Sequence, residues 1–281
     1  TCTNNFATFT AENHTVGSFE LSEGNLQTSR NSGTSGLHGS SIMPTTGKWY
    51  FEVKIGEAGN GDRSRVGVMN YQKQLENSTY SGVINTPQQV LAGCTTSCKS
   101  GKHFEGDGAG VMEEYTASGD YADGDIVQVA MDLDNKAIYF GRNGTFLTRT
   151  GNSGGDPTSG ASKTGAALTS GIQNVDIDII HTRYNGGGID QYNFGQDSTF
   201  GGAISAGGNA DGNGFGDFKY APPTGFLAIC SGNLPISDDI DPAQTDDDFG
   251  EKLFSPLLYT GSGSNAQSMT DLGLKPRPVI E

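Results

Sequence analysis

Long apolar runs are missing from this 281-residue chain. A membrane-spanning helix needs roughly 18–20 consecutive apolar residues, so insertion by a helix is excluded. Helical periodicity is equally scarce. No glycine-free stretch of the length of a helix places apolar side chains at i, i+3, i+4 and i+7. Positive charge is also short: 17 Lys and Arg stand against 32 Asp and Glu, for a net charge of −15. Nucleic acid, whose binding needs a Lys/Arg field, is repelled, and anionic membrane surfaces are disfavoured for the same reason. The opening TCTNNFATFT has neither an initiator Met nor a signal-peptide pattern. The chain is therefore expected to begin after processing or as an excised piece of something larger.

Cysteine is sparse, with Cys2, Cys94, Cys98 and Cys230. Cys94 and Cys98 form C-x-x-x-C in a Gly/Ser/Thr-rich loop, a spacing open to a small disulfide ring or to two reduced thiols. A zinc site would want two further ligands, and only His103 lies close in sequence. Cys230 sits in GFLAIC and reads as a small buried hydrophobe.

What is abundant is glycine, 43 residues, together with Ser, Thr, Asn and Asp. Without a G-X-Y period this is no collagen, and interspersed β-branched runs argue against disorder. Apolar area is concentrated in 14 Phe and 10 Tyr. Period-two alternation recurs at 15–21, 47–55, 65–69, 125–133, 137–140 and 175–180. In 47–55, Trp49, Phe51, Val53 and Ile55 share one face, and Tyr50, Glu52 and Lys54 the other. Asp134-Asn135 and Asn143-Gly144 supply hairpin turns. Gly-rich loops are expected at 56–63, 93–110, 151–171, 184–190 and 201–217. Short strands with turns between them predict an all-β, two-sheet antiparallel sandwich over 1–235. An acidic linker follows at 236–252, and 253–281 is expected to be a C-terminal strand arm or the start of a truncated second domain.

Candidate chemistry is thin. Gly151 to Asp156 (GNSGGD) resembles the loop around a serine-protease nucleophile. Asn152 departs from that pattern, however, and none of His14, His38, His103 and His181 lies in a matching context. The pairs Glu113/Glu114, Asp132/Asp134 and Asp176/Asp178 have the residue type of glycoside-cleaving carboxylates. The last two pairs read more simply as solvated faces of antiparallel strands. In Asp211 to Asp217 (DGNGFGD), the oxygens of Asp211, Asn213 and Asp217 are spaced as in calcium loops. Position 12 is Pro222 rather than Glu, so glycine-permitted turning competes with a Ca²⁺ site. Tyr184, Asn185 and Tyr192 are expected to be exposed in Gly-rich loops and suited to sugar or protein contacts. No catalytic residues are assigned, no other cofactor is implied, and the chain is expected not to be an enzyme.

The pieces GKWYFEV (47–53), GDIVQVAMDLDNKAIYFGRNG (124–144) and QYNFGQ (191–196), in this order, resemble the SPRY domain. The resemblance implies two twisted antiparallel sheets packed face to face, with ligands bound by loops at one edge. A narrower set resembles bacteriophage tail-fibre and other virion surface proteins: NNFATFT (4–10), FGQDSTFGG (194–202), DGNGFGDFKYAPPTGFLAICSGNLP (211–235) and FSPLLYTGSGSNAQS (254–268). It implies a surface-exposed structural module of the virion, serving subunit assembly, adhesion to a host glycan or protein, or both. The implied partners are other virion subunits in a homo-oligomer or larger assembly, without nucleic acid or membrane insertion. Two alternatives stand beside it: a secreted carbohydrate-binding or carbohydrate-cleaving protein, and an intracellular protein-interaction adaptor.

Overall fold

The computed structural model describes residues 4–10, 20–30, 36–56, 63–70, 89–93, 102–106, 112–116, 122–148, 152–167, 177–184 and 188–234. The chain divides into two compact units, Thr1–Leu234 and Pro235–Glu281. All described residues lie in the first. The expected linker and C-terminal arm fall outside them.

The described chain is almost entirely β. One antiparallel sheet of seven strands comprises β1 (Phe9–Thr10), β4 (Gly36–Ser40), β6 (Arg63–Asn70), β7 (Gln89–Gly93), β8 (Lys102–Gly106), β9 (Met112–Thr116) and β13 (Ile177–Tyr184). Its spatial order is β1-β4-β13-β6-β7-β8-β9. The second sheet contains β2 (Glu20–Ser22), β3 (Gln27–Arg30), β5 (Lys48–Lys54), β10 (Ile126–Asp132), β11 (Ala137–Arg142), β12 (Thr145–Phe146), β14 (Gly188–Asn193) and β15 (Leu227–Ala228). It runs β12-β11-β10-β5-β14-β3-β2, and β15 adds to β5 in parallel. Helix among the described residues amounts to a 3-10 segment, Pro157–Ser162, whose N-cap Asp156 accepts the Thr158 N–H at 2.9 Å.

The turn chemistry acts as the sequence predicts. Asn143 and Gly144 adopt φ of 50° and 89°, the doubly left-handed pair that a tight hairpin requires. They close β11 onto β12 with Arg142 opposite Thr145. Asn143 also holds the hairpin to its neighbour, since its Oδ1 accepts the Ile126 N–H at 2.9 Å. Two of the predicted loops are partly strand. β8 lies inside 93–110, and β14 begins within 184–190. Glycine lowers strand propensity, but pairing to a formed neighbour overrides that local preference.

The core between the sheets takes Trp49, Phe51, Val53 and Ile55 from β5 and the residue after it. Val127, Val129 and Met131 of β10 join them, facing Val66 and Val68 of the other sheet. Phe9 closes one end, its ring edge-on to Tyr192 with centroids 4.5 Å apart, a contact worth about 0.5–1.5 kcal/mol beyond the area it buries. β5 and β10 are buried on their second face too: every residue of β10 is buried. Tyr50, Ala130, Ala137 and Tyr139 pack there against Phe218, Phe226, Ala228 and Cys230. Small alanines on the sheet let these rings approach closely. Residues 207–234 thus form a cap over half of the second sheet, while Phe194 before them belongs to the core between the sheets. The first residues are stitched to it by the Ala7 N–H to Ile229 carbonyl bond (2.8 Å) and the Phe6–Cys230 bridge.

Candidate functional site

Beneath the cap lies a carboxylate that forms no ion pair among the described residues. Glu52 sits mid-strand on β5 and is fully buried. Its two oxygens accept the backbone N–H of Lys219 (2.8 Å) and of Tyr220 (2.7 Å), the Tyr50 hydroxyl (2.9 Å) and the Asn193 amide (3.3 Å). Gln128, its cross-strand neighbour, extends the network by donating to the Tyr50 oxygen at 3.2 Å. Burial raises the Glu52 carboxyl above its ordinary value, against the pull of the four donors. Burial, reinforced by the Glu52 charge, likewise holds the Tyr50 phenol well above its usual range. Every acceptor direction of Glu52 points at a fixed donor, so the carboxylate latches the cap to the sheet.

Asp211 is a second internal staple. One oxygen accepts the N–H groups of Asn213 and Phe215, each at 2.9 Å. The other accepts the Ala228 N–H (2.8 Å) and the Asn233 side-chain amide (2.7 Å). Four N–H donors fill the directions that a calcium ion would need. Asn213 turns its amide to Asn233 at 2.9 Å, and Asp217 receives the N–H groups of Ser198 (3.3 Å) and Gly208 (3.1 Å). The three residues proposed from spacing as calcium ligands therefore serve separate turns of the cap. We expect Asp211→Asn to destabilise the fold by about 1–3 kcal/mol, because its amide would present N–H to N–H on one side. A urea unfolding midpoint equal to that of the parent would refute the staple.

The other residues singled out from the sequence scatter. Tyr192, expected in an exposed loop, lies on β14 and is core, 2% exposed; period-two alternation turns it inward beside Phe9. Tyr184 ends β13, and Asn185, Cys94 and Cys98 lie outside the described residues. Asp132 does not face solvent as predicted. It is fully buried, pairs with Lys48 at 3.1 Å across the β5–β10 ladder and accepts the backbone N–H and the side-chain amide of Asn135. Its partner in sequence, Asp134, accepts the Gly47 N–H at 2.8 Å. Asp178 is on β13 and Asp176 lies outside the described residues. Cys230 is a buried thiol, as its apolar context predicts.

What the sequence did not reveal is a polar row on the uncapped half of the second sheet. Ser22, Gln27, Gln191 and Lys54 are cross-strand neighbours on β2, β3, β14 and β5, and all four are half-buried. Lys54 Nζ donates to Gln191 Oε1 (3.3 Å), Gln191 Nε2 to Gln27 Oε1 (3.3 Å), and Gln27 Nε2 to Ser22 Oγ (3.0 Å). An ammonium can only donate, so it sets the direction of the whole chain and the orientation of both amides. Ser22 and Gln27 share one short hairpin, but Lys54 and Gln191 are far from it and from each other in sequence, and no motif joins the four.

The row opens into a cleft of about 90 Å³ lined by Glu23, Leu26, Gln27, Gln191, Tyr192, Asp197, Phe200 and Gly201. Both walls are left-handed turns: Glu23, Gly24 and Asn25 at φ 50°, 66° and 65°, and Phe200, Gly201 and Gly202 at 53°, 69° and 83°. Left-handed geometry in a bulky residue costs about 1–3 kcal/mol and persists only when its surroundings impose it. Here Phe200 is buried, and its carbonyl accepts Gln191 Nε2 at 3.0 Å. Asp197 accepts the N–H groups of Thr199 and Gly201, each at 2.7 Å. Partial burial would raise the Asp197 carboxyl, but the Thr199 hydroxyl and these two N–H groups hold it below its ordinary value.

No protein-family model matches the chain, and no curated protein matches it in sequence. Among solved structures, the SPRY domain of human HERC1 is similar, with a TM-score of 0.45 and 16% sequence identity. The match covers 66% of this chain and 96% of that one.

Proposed function

We propose that the chain is a non-catalytic recognition module carried on the surface of a phage-like virion, where it serves subunit assembly, host-surface adhesion, or both. The observation that carries the recognition reading is the division of the second sheet's outer face. One half is sealed by the cap, and the carboxylates at that seam, Glu52 of β5 and Asp211 of the cap, are consumed by internal donors. The other half leaves an oriented polar row and a cleft at the surface. A rigid sandwich holding such a face in place suits repeated contact without a chemical step.

The virion reading is supported by the sequence resemblance. Within the described residues, three of its four motifs touch: 4–10 meets 211–234 through the Ala7–Ile229 bond and the Phe6–Cys230 bridge, and 194–202 meets it through the Ser198 N–H on Asp217. The low charge content, 17%, and the net charge of −15 suit a surface that stays soluble and ignores nucleic acid.

The test is to purify particles from the source of this sequence and identify their proteins by mass spectrometry. The chain is expected in stoichiometric amount with the other structural subunits. Its recovery solely as a free polypeptide, absent from washed particles, would remove the virion assignment.

A further inference from the structure

We propose that the row Ser22–Gln27–Gln191–Lys54, with the cleft at its side, binds a neutral, hydroxyl-rich ligand: a saccharide. The proposal rests on the recognition reading above and assigns its ligand class.

The first argument is the kind of hydrogen bonding the row presents. A sugar hydroxyl both donates and accepts, so it is satisfied best by donors and acceptors placed side by side. Lys54 and Gln27 keep N–H capacity beyond the internal chain. The two amide oxygens keep a second lone pair, and the Ser22 hydroxyl can still donate. Strand spacing of about 4.8 Å sets these groups at a regular interval across four strands. A phosphate would use donors alone, and an apolar ligand would leave every one of these groups desolvated and unpaired.

The second argument is preorganisation. Each amide is locked in one orientation by the Lys54-led chain, and Gln191 is pinned further by the Phe200 carbonyl. Little rotamer freedom remains to be lost when a ligand arrives. The backbone beneath is regular sheet, paired on both sides at β3 and β14.

The third argument is what surrounds the row. Ile189, at 41% exposure, is the one exposed large hydrophobic among the described residues. It lies two positions from Gln191 on β14 and so on the same face. One aliphatic side chain suits the C–H face of a sugar ring. It falls short of the buried aromatic and arginine anchors that dominate protein interfaces. Glu23 and Asp197 at the cleft, with the net charge of −15, disfavour acidic polysaccharides.

The experiment uses the full chain on an array of immobilised neutral oligosaccharides, with an acidic polysaccharide and an arginine-rich peptide as comparators. Neutral glycans are expected to be retained. Gln27→Ala and Gln191→Ala are each expected to weaken binding about tenfold, the worth of a lost hydrogen bond. Ser162→Ala, on an exposed turn away from the row, is expected to leave binding unchanged. Thermal unfolding of the variants separates lost contacts from lost fold. Should a Gln variant unfold early, Ser22→Ala and Lys54→Gln supply the same reading. Retention of glycan by all of these variants would overturn the site. Retention of the peptide alone, or of nothing, would overturn the ligand class. Either result leaves the recognition reading to stand or fall on the particle proteomics.

Discussion

Gly207→Ala is expected to yield a chain without the cooperative unfolding transition of the parent. A Cβ at this position would sit 2.3 Å from the Phe218 carbonyl oxygen, and 2.4 Å from both the α-carbon and the carbonyl oxygen of Lys219. All three obstacles are backbone, and none can swing aside as a side chain would. The surrounding chain is tied on both sides. Asn209 and Phe218 exchange backbone bonds of 3.1 and 2.7 Å, the Gly207 N–H reaches Ser198 Oγ at 3.0 Å, and Gly208 reaches Asp217 at 3.1 Å. Overpacking in a yielding core costs about 1–3 kcal/mol, and a clash against a tethered backbone lies at or above the upper end. Gly212→Ala is the matched control, because a Cβ there meets nothing within 4 Å and needs no positive φ. It should unfold as the parent does. Circular dichroism on heating decides the matter, and a Gly207→Ala midpoint within a degree or two of the parent would show that this approach is not tight.

Glu52→Ala should produce the next largest loss, through the same strip of cap. Removing the carboxylate orphans the Lys219 and Tyr220 N–H groups at the point where the cap meets β5. Each buried unsatisfied donor costs about 1–3 kcal/mol. For a domain of this size, each kcal/mol moves the melting temperature by about 2–4 °C. Glu52→Gln is milder but still unfavourable, since one amide face would oppose an N–H. The effect carries a pH signature. Because burial raises the Glu52 carboxyl, the native state keeps its proton to higher pH than the unfolded chain does. The favourable contribution of this titration is therefore full below the ordinary value of 4.5. It declines as pH rises through the native value. The stability gap between the parent and Glu52→Gln should narrow over that interval, as measured by urea unfolding at stepped pH. A gap that widened with rising pH would mean that the donors, rather than burial, dominate the site.

How much could be read beforehand is clearest on β5. Its alternation correctly separated Trp49, Phe51 and Val53 from Tyr50, Glu52 and Lys54. Nothing in that alternation told that Tyr50 and Glu52 of the second set would be buried too. The segment that covers them lies far along the chain, the Lys219 N–H that meets Glu52 being 167 residues on, and period-two logic speaks only of faces, not of what lies over them. Tyr192 and Asp132 were misplaced for the same reason. Local glycine content put the tyrosine in a loop and local charge put the carboxylate in water. Strand pairing instead turned Tyr192 toward Phe9, and Asp132 is buried beside Lys48. At 211–217 the Asp211 carboxylate takes the nearest donors available, and the turn's own backbone N–H groups, of Asn213 and Phe215, supply two of them.

The sequence by itself determined the all-β class, several of the strands, the Asn143-Gly144 hairpin, and the lack of an apolar run long enough for a membrane-spanning helix. These follow from properties that neighbouring residues share, such as side-chain period and left-handed turn preference. Tertiary structure alone decided which face is sealed, which carboxylates are consumed as latches, and that Ser22, Gln27, Gln191 and Lys54 stand in one row. Register between strands distant in the chain sets these features. Register is fixed by the packing of the whole sandwich, and no local stretch of residues encodes it.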